Sequence, residues 1–160
     1  MPVQNKLDTG AKAPEFTLVS HDEHDVSLKD FKGQWVVLYF YPKDDTPGCT
    51  IEACDFTSGL KAFEKMNAVV LGVSPDSPAS HRKFISKHEL EITLLADEAR
   101  EVMTSYGAFG LKMMYGKEVE GVIRSTFIID PKGKIAHAWY GVKAEGHADK
   151  VREKLTELAD

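Results

Sequence analysis

Cysteine is scarce in this chain: Cys49 and Cys54 are the only two among 160 residues. Two cannot staple a small secreted scaffold, and a chain of this length buries enough surface to need no staples. Two also fall short of a Cys-only zinc site. Long apolar runs are missing as well. The longest, Trp35 to Tyr41 (WVVLYFY), is far shorter than the ~20 residues of a bilayer crossing. Met1 to Leu7 (MPVQNKL) has no apolar stretch behind a basic flank, so it does not read as a signal peptide. Nor is there a basic excess, since 20 Lys+Arg stand against 25 Asp+Glu for a formal net charge of −5. A nucleic-acid binder that lives on counterion release needs a basic face, which argues against that class. A cytoplasmic, thiol-reducing setting is the expectation. There, a close cysteine pair points to redox chemistry rather than to scaffolding.

What is present is ordinary globular material, 42% hydrophobic and 28% charged, with no repeat, low-complexity tract or composition break. One domain over 1–160 is expected. Phe16 to Val19 and Val26 to Leu28 alternate around the polar loop His21 to Asp25 and predict an edge hairpin. Trp35 to Tyr41 is rich in β-branched and aromatic residues, the mark of a strand buried on both faces. It stops at Pro42. Beyond a turn-rich loop, Cys49, Ala53, Phe56, Leu60 and Phe63 recur at helical spacing and share one stripe.

Ala68 to Val73 reads as a second buried strand, and Pro78 to His88 as a helix with Ser77 as its N-cap. Ile92 to Leu95 reads as a third strand. A helix follows through Ala99, Val102, Met103 and Tyr106, with Gly107 as terminator. Ile123 to Ile129 and Lys134 to Tyr140 flank Asp130-Pro131-Lys132-Gly133, whose residues suit a type I turn, so a hairpin is expected. A last helix carries Ala148, Val151, Leu155 and Leu158. This order predicts an α/β protein: a thioredoxin-like three-layer α/β/α sandwich with a mixed central sheet and an N-terminal β-hairpin extension. It places Cys49 where the first central strand ends and its helix begins, the edge of open α/β sheets at which ligands bind.

A cysteine in the first turn of a helix meets unpaired backbone N–H groups and the positive end of the macrodipole. Both favour thiolate over thiol. The plainer reading is that Cys49 is a small hydrophobe on the apolar stripe. Cys54 lies five residues on, about 140° around the helix. In an intact helix the two Cα atoms would stand about 8–9 Å apart, beyond the ~7 Å that a disulfide spans without backbone movement. Either the two never bond, or the helix start unwinds when they do.

The stretch from Tyr39 to Cys54, YFYPKDDTPGCTIEAC, resembles the active-site signature of peroxiredoxins. Its cysteine spacing is similar to that of the bacterioferritin comigratory protein (Q-type) branch. The likeness extends over Ala13 to Phe16, Asp76, Leu94 to Asp97 and Arg124 to Asp130. It implies a thiol-dependent peroxidase for hydrogen peroxide and organic hydroperoxides. Cys49 would be the nucleophile, oxidised to a sulfenic acid. Thr46 would accept a hydrogen bond from the peroxide, while backbone N–H groups near Cys49 donate to it. Arg124 would stabilise the thiolate and the leaving oxygen, with Glu52 orienting it. Pro42 would shield the sulfur from water. Cys54 would resolve the sulfenate as an intrachain disulfide, and thioredoxin or a similar dithiol would recycle it. An intrachain resolver removes the need for a dimer, so a monomer is expected, with no metal, cofactor, nucleic acid or membrane.

Each residue also has a bland reading: Thr46 as a helix cap, Arg124 as a surface ion-pair residue, Pro42 as a strand terminator. Phe109 and Met113-Met114-Tyr115, taken as a loop, either rim a pocket for organic peroxides or pack locally, and Trp139 and Tyr140 are open candidates for the same rim. His21, His24, His81, His88, His137 and His147 show no ligand spacing, and surface positions account for most of them. Two rivals remain. A thioredoxin-like thiol–disulfide oxidoreductase wants C-x-x-C at the helix start, and a copper carrier wants C-x-x-x-C with a distant histidine; neither spacing occurs.

Overall fold

Trp35–Phe40 forms the strand (β3) around which the rest is built, and its alternating side chains supply both faces of the core. Val37, Tyr39 and the following Tyr41 point into one hydrophobic cluster, while Val36, Leu38 and Phe40 point into another. The structure, a computed structural model, describes residues 6–159. Most of the Met1 to Leu7 segment therefore lies outside the described residues. Thr17–Ser20 (β1) and Asp25–Ser27 (β2) form the expected edge hairpin. Ala68–Ser74 (β4) and Thr93–Ala96 (β5) run parallel to β3, and Ser125–Ile129 (β8) and Ile135–Tyr140 (β9) complete the sheet antiparallel. The strand order is β2-β1-β5-β4-β3-β8-β9.

The helices Pro47–Ser58 (α1), Leu60–Lys65 (α2), Pro78–His88 (α3) and His147–Ala159 (α5) send Phe56, Phe63, Phe84 and Leu155 into the first cluster. Glu101–Ser105 (α4) covers the other face through Met103, together with Phe16, Leu28 and Tyr106. This is the mixed-sheet α/β sandwich with an N-terminal hairpin that the residue pattern predicts. The stripe running from Cys49 to Phe63 is carried by two helices, because Gly59, a poor helix former, ends α1 with its N–H on the Asp55 carbonyl. α3 begins as expected, with the Ser77 hydroxyl accepting from the Ser80 N–H. Among the described residues, no helix is long and apolar enough to cross a membrane.

The segment taken as a loop from Phe109 to Tyr115 is instead a hairpin. Phe109–Met114 (β6) pairs with Lys117–Val122 (β7) as a separate two-stranded sheet. Its turn is Tyr115-Gly116, both at positive φ (53° and 79°). That is the geometry of a two-residue hairpin, but Tyr-Gly carries none of the Asn-Gly or Asp-Gly signal that announces one. Gly72 on β4 is needed for space. A Cβ there would lie 2.8 Å from the Tyr39 ring and its hydroxyl, so glycine admits the buried tyrosine on the neighbouring strand.

Candidate active site at the start of the first helix

β3 delivers the chain to the carboxyl edge of the sheet, where the Tyr41 N–H closes on the Val73 carbonyl at 3.0 Å. A loop from Pro42 follows, with Asp45 in the left-handed region at φ 59°. Thr46 is extended (φ −95°, ψ 157°) and Pro47 opens α1, a residue whose missing N–H costs nothing at that position. Cys49 is thus the third helical residue, in the turn whose N–H groups lack helical acceptors. The Thr46 hydroxyl does not cap the helix. It donates to the Lys43 carbonyl at 2.9 Å, which corrects the capping alternative and leaves its lone pairs free.

The Cys49 sulfur is buried, at 1% residue exposure. Arg124, directly before β8, reaches it across the sheet: Nη2 donates to Sγ at 3.3 Å, and Nη1 donates to Glu52 Oε1 at 2.6 Å. One guanidinium therefore bridges two side chains of a single helical turn. Arg124 is half-buried rather than a surface residue, and its carbonyl is held by the Val142 N–H at 3.0 Å. Burial works against its charge, but the Glu52 carboxylate and the Cys49 sulfur outweigh that and hold the guanidinium's pKa above its ordinary value. Gly48 clears the space, since a Cβ there would stand 3.2 Å from Nη2.

Glu52 is fully buried, and burial, opposed by Arg124, raises its carboxyl to about 7. Its Oε2 and the Tyr39 hydroxyl have no hydrogen-bond partner among the described residues. Tyr39 is pushed well above the usual phenol range by burial and then by Glu52 and Cys49, so it stays a neutral phenol. Cys54 is half-buried against the core on the same helix. Burial and then the Asp55 carboxylate push its thiol up, which keeps it protonated. Both cysteines are free.

Beside the site, a cavity of about 440 Å³ is lined by Pro42, Arg100, Phe109, Lys112, Val119 and Val122. Phe109 and Pro42 thus share a wall. Met113 and Tyr115, 58% and 98% exposed, project from the hairpin tip into solvent, and the Met114 side chain lies outside the described ones. Trp139 packs edge-on to His147 and His137, and the Tyr140 hydroxyl donates to the Tyr106 carbonyl at 2.6 Å, so neither lines that cavity. Lys112 lies within reach of the site: burial and then the Arg124 charge lower its pKa, and Nζ donates to the Val122 carbonyl at 2.7 Å.

Two histidines are not surface residues. His81 is buried on Asp44, and His147 is buried with Nε2 on the Thr126 hydroxyl at 2.8 Å. Sequence spacing could not find these, because their partners lie on other elements. Among the described residues, no group of three or more His, Cys, Asp or Glu is placed to hold a metal ion.

A cysteine at a helix start beneath a fixed guanidinium, at the carboxyl edge of a thioredoxin-like sheet, defines the class: a thiol-dependent peroxidase. The AhpC/TSA family model matches residues 9–138. The chain is 55% identical to the bcp peroxiredoxin of Helicobacter pylori strain J99 over 150 residues, covering 94% of this chain and 99% of that one. It is 42% identical to peroxiredoxin Bcp of Bacillus subtilis over 154 residues, covering 96% and 98%. In three dimensions it is similar to the bacterioferritin comigratory protein of Xanthomonas campestris, solved as trapped-intermediate and ligand complexes bearing on alkyl peroxide reduction. The TM-score is 0.89 at 38% identity, over 96% of this chain and 100% of that one. The chain belongs to the AhpC/TSA family, in its peroxiredoxin Bcp branch, and is an antioxidant oxidoreductase.

Proposed function

We propose that Cys49 reduces peroxides and that Cys54 resolves the product within the same chain. The observation that carries this reading is the Arg124 guanidinium on Cys49 Sγ at 3.3 Å, in a helix start with free N–H groups. The thiolate attacks one peroxide oxygen and the O–O bond breaks. Its electron pair leaves on the other oxygen, which takes a proton and departs as water or an alcohol. Cys49 is left as sulfenic acid. Arg124 stabilises both the attacking sulfur and the charge on the leaving oxygen. The Thr46 hydroxyl and the α1 N–H groups hold the peroxide, and Pro42 screens the sulfur.

Cys54 then attacks the sulfenic sulfur and expels water, forming a disulfide. Both cysteines lie in α1, so about 8–9 Å separates their Cα atoms and the first turns must unwind for this step. A thioredoxin-type dithiol supplies two electrons by exchange and restores both thiols. The activity named for the Xanthomonas campestris protein extends to this chain: Phe109, Val119 and Val122 offer an apolar wall beside Pro42 for an organic hydroperoxide. The enzyme works as a single domain and a monomer in the cytoplasm.

Peroxide consumption coupled to thioredoxin and its reductase tests the assignment. Cys49→Ser abolishes turnover, and Cys54→Ser reacts once per chain and stalls as sulfenic or sulfinic acid. Full turnover by Cys49→Ser would refute the nucleophile. Undiminished turnover by Cys54→Ser would refute the resolver.

A further inference from the structure

The loop that delivers α1 is fastened to α3 at two levels. In the inner one, the buried Asp44 carboxylate accepts from the Tyr41 hydroxyl at 2.6 Å, the Ser80 hydroxyl at 2.8 Å and His81 Nδ1 at 2.7 Å. The Asp44 N–H donates to Asp76 Oδ2 at 2.8 Å, and Asp76 is itself held by the Ser74 hydroxyl at 2.7 Å. His81 Nε2 lies 2.9 Å from the Leu95 carbonyl. The fully buried ring is thus tied at both nitrogens, to the Asp44 carboxyl on one side and a backbone carbonyl on the other. In the outer level, Asp45 accepts from Lys87 Nζ at 2.7 Å and His88 Nε2 at 2.8 Å, both in the last turn of α3. These contacts hold Asp45 in its left-handed conformation.

We infer that α3 is a latch on the catalytic loop, with Asp44 and His81 as positioning residues that set how readily α1 unwinds. The inference rests on the proposed role of Cys54. Unwinding that carried Asp44 away would leave the fully buried His81 ring and the Tyr41 hydroxyl without their Asp44 partner, a costly state. With the latch closed, Pro42 to Thr46 therefore stay in place and the helix opens only beyond Pro47. The peroxide site remains half assembled while Cys49 swings towards Cys54. With the latch weakened, the loop leaves with the helix. The folded arrangement loses population, so oxidation of Cys49 slows, disulfide formation quickens and less sulfinic acid accumulates.

The test is stopped-flow tryptophan fluorescence with hydrogen peroxide, which resolves oxidation from disulfide formation, together with mass spectrometry of the sulfinic fraction under excess peroxide. Ser80→Ala removes one donor to Asp44 in a helix that tolerates alanine, and Asp45→Asn weakens the outer level. Each should speed disulfide formation about two- to fivefold, and His81→Gln about tenfold, with matching loss of sulfinic acid. The opposite signs on the two steps separate a latch from general destabilisation, which would slow oxidation without speeding resolution. Should His81→Gln not fold, the other two variants decide alone. Unchanged partitioning in them, or slower disulfide formation, overturns the latch while leaving the peroxidase assignment intact. Absence of any Cys49–Cys54 disulfide in the parent protein overturns the latch together with the resolving role of Cys54.

Discussion

Replacing Glu52 by glutamine keeps the shape of the side chain and an oxygen for Arg124 Nη1, but removes a buried titratable group from the centre of the site. Burial outweighs Arg124 and raises the carboxyl from 4.5 to about 7. Below 4.5 it is protonated in both the folded and unfolded chain and has no differential effect. Between 4.5 and 7 the folded chain holds a proton that the unfolded chain has released, so stability falls as pH rises. That interval, at about 1.36 kcal/mol per pH unit, amounts to roughly 3 kcal/mol by the alkaline side of the window.

His147 acts in the opposite sense. Burial, then Lys150 and Arg124, lower it from 6.5 to about 4. The unfolded chain therefore takes up this proton first on acidification, and stability falls as pH drops from 6.5 towards 4. The two groups offset each other in the wild-type profile, and the difference between wild type and Glu52→Gln isolates the carboxyl. Denaturant unfolding at about pH 5 and about pH 8 gives that difference. The glutamine variant should gain roughly 2–3 kcal/mol on the wild type between those conditions, whatever its offset from the lost ion pair. A gap that stays constant within about 0.5 kcal/mol would refute the claim that desolvation dominates at Glu52.

Three further outcomes are expected. Gly72→Ala puts a Cβ 2.8 Å from the Tyr39 ring and Leu94, and should destabilise the chain by about 1–3 kcal/mol through overpacking, read from the denaturation midpoint. Gly48→Ala, whose Cβ would press Arg124 Nη2 at 3.2 Å, should separate stability from activity. The thermal midpoint should hold or rise, while the second-order rate with peroxide falls about fivefold or more as the guanidinium is displaced from Sγ. Oxidation to the disulfide should raise amide exchange from Thr46 to Phe56 by about tenfold or more and leave β3 and β4 protected. Unchanged protection in α1 would count against unwinding.

Much of this was legible in the residues because it rests on nearest neighbours. Continuous apolar runs at Trp35–Phe40 and Ala68–Ser74, and the helical stripe through Cys49, Ala53 and Phe56, announce themselves locally. The same arithmetic places Cys49 at a helix start and shows that Cys54 cannot reach it within an intact turn. The β6–β7 hairpin escaped because its turn is Tyr-Gly at positive φ, a conformation imposed by strand pairing rather than by turn residues. The order β2-β1-β5-β4-β3-β8-β9 also emerges only on folding. So does the chemistry of the charged groups. Arg124 meets Cys49 from 75 positions away, and Asp44 meets His81 across 37. Resemblance named Arg124 and Glu52 as partners, but nothing in their spacing shows that Glu52 is dry enough to titrate near 7 or that His81 is buried on Asp44. Periodicity records which face a side chain takes. Desolvation and pairing are set by what closes over that face, and those groups come from elsewhere in the chain.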